Sequence, residues 1–183
     1  PEAMVALGGG SPIDTAKVPN LKNTWPEIQA RLAKYDPGNK YAVNYMWGTT
    51  GIGYNVAKIK ERLGPDAVID SWSILFDAEK LKKLSNCGVH VLDAVEEMFP
   101  AALRYLGLDP DSKKEADLNK AGELLRKMRP HIQKFHSSEY INALANGDIC
   151  LAVGYSGDVL QARKRAVEAK NKVEINYVIP KEG

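Results

Sequence analysis

Apolar residues along this chain fall in short runs, separated by polar turn residues. Residues 149–153 are continuously apolar, as in a strand covered on both faces. They follow Asn146-Gly147-Asp148, a turn in which glycine accepts positive φ and Asn or Asp tolerates it. A short helix precedes that turn. Tyr155, Ser156 and Asp158 come where the strand stops and a helix over 159–170 starts. Similar punctuation predicts a strand at 4–7, the turn Gly8-Gly9-Gly10-Ser11 and a helix at 12–17. Further on it predicts a helix at 25–34, a turn at Asp36-Pro37-Gly38, and strand-like segments at 41–47 and 51–55 broken by Gly48. A helix at 56–63 ends before Gly64-Pro65, and Asp70-Ser71-Trp72 opens another helical stretch. The remainder reads as helix 78–84, strand 89–92, helix 94–106, helix 118–129, strand 132–135 and strand 173–179.

Helices repeatedly follow strands, which predicts an α/β fold: a largely parallel or mixed sheet with helices on both faces. In open sheets of this kind ligands bind at the C-terminal ends of the strands. That places Tyr155 and Asp158 at a ligand edge. An aromatic face and a carboxylate there suit a cation. Asp158 as a helix cap is the competing reading.

Composition narrows the partners. The 183 residues suffice for one core, or for one domain with an appendage. Hydrophobic content of 44% and charged content of 26% fit a soluble globular protein. A net charge of +2 argues against nucleic-acid or anionic-membrane partners. No apolar run approaches the ~18 residues of a membrane span. The start Pro1-Glu2 lacks a basic region and apolar stretch, so no signal peptide is expected within the chain. The missing initiator methionine implies a processed or cut product.

Several chemistries find no footing. His90, His131 and His136 lack metal-ligand spacing, and there is no Gly-x-Ser-x-Gly elbow, so neither a metal site nor an enzyme is expected. Gly51-Ile-Gly53 lacks the third glycine of a dinucleotide loop and reads as a bend between strands. Glu96-Glu97 suits the first turn of a helix, where the dipole favours negative charge, and also suits a cleft shared with Asp158. Cys87 and Cys150 each precede a strand-like run. They read either as a disulfide between neighbouring strands or as two buried thiols.

Ordered segments from Val18 onward resemble the periplasmic polyamine-binding proteins of bacterial ABC importers, the putrescine and spermidine receptors. These are Val18-Pro-Asn-Leu-Lys-Asn23, Tyr45-Met-Trp-Gly-Thr-Thr-Gly-Ile-Gly-Tyr-Asn55, Cys87-Gly-Val-His-Val-Leu-Asp93, Phe135-His-Ser-Ser138, Leu144-Ala-Asn-Gly-Asp-Ile-Cys150, Gly154-Tyr-Ser-Gly-Asp158 and Ile179-Pro-Lys-Glu-Gly183. The resemblance implies a type II periplasmic-binding-protein lobe over 18–183, the second of two lobes that clamp a ligand. It implies Asp158 as partner of a polyamine ammonium, Tyr155 as an aromatic wall where the family often has Trp, Glu97 as a cleft carboxylate and Ser137 as a polar contact. It also implies a Cys87–Cys150 disulfide, a membrane permease as partner, periplasmic localisation and no cofactor. The opposing lobe is missing, so half a binding site is expected.

Residues 1–17 instead resemble the strand–turn–helix of iron-dependent alcohol dehydrogenases. In that family Gly8, Gly9, Gly10 and Ser11 would cradle the NAD pyrophosphate at a helix N-terminus. The combination implies a chimera: a grafted element over 1–17 on a single compact lobe over 18–183. Two alternatives follow from it, a nucleotide-binding dehydrogenase fragment and a ligand-free scaffold.

Overall fold

The computed structural model describes residues 10–183, divided between the units Pro1–Trp47 and Gly48–Gly183. The predicted strand at 4–7, with Gly8 and Gly9, lies outside the described residues.

In the first unit, Gly10 and Ser11 are exposed. The helix expected over 12–17 is instead a short 3-10 turn, Thr15–Lys17. The Asp14 side chain accepts the Ala16 N–H, so the cap falls inside the expected span, and Pro19 already opens a separate 3-10 turn, Pro19–Asn23. Helix α1 follows at Pro26–Ala33. No strand forms over 41–47. The buried Asp36 carboxylate takes the N–H groups of Lys40, Tyr41 and Ala42 at 3.1, 2.8 and 2.9 Å, which diverts the start of this segment from a ladder. Burial opposes ionisation of Asp36, but those backbone bonds outweigh it and hold the carboxyl below its usual range.

The second unit carries a five-stranded sheet. Its strands are β1 (Thr50–Asn55), β2 (Val89–Val91), β3 (Lys134–Phe135), β4 (Leu151–Tyr155) and β5 (Ile175–Val178), in spatial order β3-β2-β4-β1-β5. Strands β3, β2 and β4 run parallel, while β1 is antiparallel to both β4 and β5. The sheet is thus mixed, as expected. The reversal of β1 brings its first residues to the C-terminal ends of the parallel strands, with Thr50 opposite Tyr155.

Around the sheet lie α2 (Val56–Leu63), α3 (Ser73–Phe76), α4 (Ala78–Leu84), α5 (Val95–Tyr105), α6 (Glu115–Met128), α7 (Tyr140–Asn146) and α8 (Ser156–Ala169). Local chemistry sets their ends. The Asn55 side chain accepts the Lys58 N–H and starts α2, which stops at Gly64 with φ 102°. Asp77 accepts from Glu79 and Lys80 and starts α4. Gly147, at φ 78°, caps α7 in the left-handed conformation. Cys87 and Cys150 form a disulfide with Cα atoms 5.5 Å apart, joining the entries of β2 and β4. The Cys150 N–H also reaches the Gly88 carbonyl at 2.9 Å.

Gly51 and Gly53 both sit inside β1, as the strand-like segment 51–55 predicts, and the bend expected of the two glycines does not form. Close packing explains them. A Cβ on Gly51 would meet the Val178 carbonyl and the Tyr177 ring, and one on Gly53 would lie 2.7 Å from Val159 Cγ1 and 2.8 Å from Cγ2. Gly53 lets α8 approach the sheet through Val159. Gly53→Ala is therefore expected to destabilise the fold by about 1–3 kcal/mol through overpacking. Urea unfolding would read this as a lower midpoint at unchanged slope, and an unshifted midpoint would show that Val159 gives way freely.

Candidate functional site

Chain segments leaving β2, β3 and β4, together with the start of β1, gather at one edge of the sheet. There β4 delivers Tyr155, and α8 begins at the next residue. The helix was expected to start at 159, with Asp158 as a candidate cap. It starts at Ser156 because that residue is tied to the head of β1: its N–H donates to the Thr49 carbonyl at 2.9 Å, and its Oγ accepts the Thr49 N–H at 3.2 Å. Tyr155 takes the cap position without a side-chain cap bond. Asp158 therefore lies in the first turn, and its carboxylate does not cap the helix.

That carboxylate has a different partner. The Tyr140 hydroxyl donates to Asp158 Oδ2 at 2.7 Å and accepts the Tyr155 N–H at 3.0 Å. Tyr140 is fully buried, and its ring lies over Gly154, where a Cβ would fall 2.6 Å from Cζ. Burial, followed by the bond to Asp158, pushes the Tyr140 phenol well above its usual pKa, against the Tyr155 N–H bond. It stays a neutral donor at physiological pH.

Glu97 enters from the first turn of α5, next to Glu96. Half-buried Glu97 accepts from Thr50 Oγ1 at 2.6 Å. The pair occupies the first turn of α5, and Glu97 is tied through Thr50 to the strand position opposite Tyr155. Burial, followed by the charges of Glu97, Glu96 and Asp158, raises the Tyr155 phenol pKa. A partly buried aromatic ring thus stands in the field of three carboxylates.

Ser137 lies after β3 on the same sheet edge, exposed and with no hydrogen bond among the described residues. Its neighbour His136 accepts the Ser138 and Glu139 N–H groups at its Nδ1, each at 3.1 Å. Of the expected ligand residues, the structure brings Glu97, Tyr155 and Asp158 into one electrostatic cluster and leaves Ser137 outside its hydrogen bonds. Thr50 and Tyr140 escaped sequence reasoning. Thr50 reads as an ordinary strand residue and Tyr140 as an ordinary aromatic of a short helix, and no spacing links either to its carboxylate. Among the described residues no group of three His, Cys, Asp or Glu side chains is placed to hold a metal ion.

The mixed sheet with its acidic, aromatic edge is that of a periplasmic-binding-protein fold. The crystal structure of a spermidine/putrescine ABC transporter substrate-binding protein from Streptococcus pneumoniae matches with a TM-score of 0.71 at 26% identity, covering 99% of this chain and 50% of that one. The family model for bacterial extracellular solute-binding proteins matches residues 2–183, and the chain belongs to that family. A putrescine-binding periplasmic protein of Escherichia coli is 54% identical over 183 residues, which is 100% of this chain and 50% of that protein. A putrescine-binding periplasmic protein of Pseudomonas aeruginosa is 52% identical over 171 residues, 93% of this chain and 47% of that protein. The chain spans about half the length of these curated relatives. The matched span includes residues 2–17, the segment that resembles the dehydrogenase turn.

Proposed function

We propose that this chain is the polyamine-receiving lobe of a substrate-binding protein that works in the periplasm and delivers its cargo to the membrane permease of an ABC importer. The observation that carries this reading is the placing of Tyr155 between two hydroxyl-held carboxylates: Thr50, opposite Tyr155 in the sheet, donates to Glu97, and Tyr140, which takes the Tyr155 N–H, donates to Asp158. A polyamine is an apolar chain with cationic ends. An aromatic wall flanked by separated carboxylates matches both parts of it. The names of the relatives, which specify putrescine, point to the same ligand class. In this reading the lobe binds and releases without chemistry. Ser137 is a peripheral contact here, reached only when ligand is present.

The same reading takes residues 1–17 as part of the family chain, supported by a family match that begins at residue 2. It leaves Gly8, Gly9, Gly10 and Ser11 no part in cofactor binding. The putrescine-binding relatives favour the polyamine reading over the dinucleotide alternative.

The test is an NMR titration with putrescine, spermidine and uncharged butanediol. The expected result is saturable shifts at the amides of Tyr155, Ser156 and Asp158 with the two polyamines and none with the diol. Equal responses to putrescine and butanediol would remove the cation from the reading, and silence at these amides with every ligand would sink it.

A further inference from the structure

The two site carboxylates are held in the same way. Glu97 Oε2 receives the Thr50 hydroxyl at 2.6 Å, and Asp158 Oδ2 receives the Tyr140 hydroxyl at 2.7 Å. Their second oxygens, Oε1 and Oδ1, accept no hydrogen bond among the described residues. The holding groups are neutral. A lysine or arginine in either place would fix the carboxylate equally well but would cancel the charge that a cationic ligand needs. A hydroxyl orients the carboxylate and leaves its charge in place.

Tyr140 does more than Thr50. One hydroxyl has one proton to give and lone pairs to receive. Tyr140 spends the proton on Asp158 and receives the Tyr155 N–H at 3.0 Å, so one buried atom holds both the carboxylate and the backbone that carries the aromatic wall. Gly154 makes this possible, because a Cβ there would lie 2.6 Å from the ring Cζ and 2.9 Å from the hydroxyl itself. The ring is fully buried and belongs to α7, an element that carries none of the ligand residues.

We infer that Tyr140 is the positioning residue of this site, a pin that fixes Asp158 and Tyr155 in their receiving geometry before any ligand arrives. The inference deepens the polyamine reading and rests on it for what the open carboxylate oxygens receive. Pre-organisation of this kind raises affinity by removing the cost of ordering side chains on binding. Tyr140 touches no ligand in this scheme and acts through the residues it holds.

Two readouts separate the pin from the ligand reading. The first needs no ligand. Tyr140→Phe keeps the ring and its volume but removes the acceptor, so hydrogen exchange at the Tyr155 amide should quicken roughly tenfold, from the loss of one hydrogen bond, while Ala152 and Val153 stay protected. Gly154→Ala, which keeps the hydroxyl but displaces the ring, should release the same amide. The second readout is putrescine affinity by NMR titration. Tyr140→Phe should weaken it roughly tenfold. The loss should be distinctly smaller in an Asp158→Ala background, because one of the two residues through which Tyr140 acts is already gone. Unchanged exchange at Tyr155 in both variants overturns the pin. So does an equal tenfold loss with and without Asp158, which would mean that Tyr140 does not act through the carboxylate. A chain that binds no polyamine yet releases the Tyr155 amide in Tyr140→Phe overturns the ligand reading and leaves the pin standing.

Discussion

Replacing Cys87 and Cys150 together by alanine is expected to lower the stability of the Gly48–Gly183 unit by about 4 kcal/mol, the loop-closure value for a cross-link of this span. The two residues stand 63 apart in sequence, and everything from β2 through α7 lies inside the closed loop. Without the bond the unfolded chain regains the freedom that the bond removes, and that gain supplies most of the loss. For a unit of this size the change corresponds to a drop in melting temperature of about 10–15 °C. Calorimetry of the double variant against the parent, both without reductant, measures it. Midpoints within a degree or two of each other would mean that the cross-link adds nothing beyond the packing of two buried side chains. The bond sits at the strand entries and the acidic edge at the strand exits. Below its melting temperature, the double variant should therefore bind putrescine as the parent does.

The pattern of this fold was legible where one short stretch holds all the information. The helix predicted over 78–84 is α4, Ala78–Leu84, where Asp77 caps the start and Leu81 and Leu84 form the buried face. The turn at Gly147 and the buried strand after it are likewise local features. The fold departs from the local pattern where a distant contact overrules it. Gly51 and Gly53 looked like a bend, because the neighbours that make them necessary, Tyr177 and Val159, come more than a hundred residues later. Residues 41–47 form a mostly apolar, strand-like run, but the Asp36 carboxylate claims N–H groups at the start of that segment. Helix α8 starts early because Thr49 holds Ser156. The site divides in the same way. Tyr155 and Asp158 stand out as an aromatic and a carboxylate at a strand end. Tyr140 and Thr50 become visible only when the sheet brings α7 to β4 and the head of β1 to α5.

Asp158→Asn removes the negative charge and keeps the shape. The Asn carbonyl still accepts the Tyr140 hydroxyl, so the pin, the ring over Gly154 and the Tyr155 backbone should all stay in place. Stability should change little. Binding should not survive equally well. A charge-assisted hydrogen bond to an ammonium is worth about 1.5–3 kcal/mol, so putrescine affinity should fall roughly 10- to 100-fold. Asp158→Ala removes the charge and also leaves the buried Tyr140 hydroxyl without its acceptor. It should therefore add a stability loss of about 1–3 kcal/mol that the Asn variant does not show. The comparison assigns each part of the effect to its physical cause. If both variants lose affinity and only the alanine variant loses stability, the charge of Asp158 serves the ligand and its oxygen serves the fold. If Asp158→Asn binds putrescine as tightly as the parent, Asp158 is a structural acceptor for Tyr140, and the ammonium partner must be sought at Glu97, where Glu97→Gln would then carry the loss.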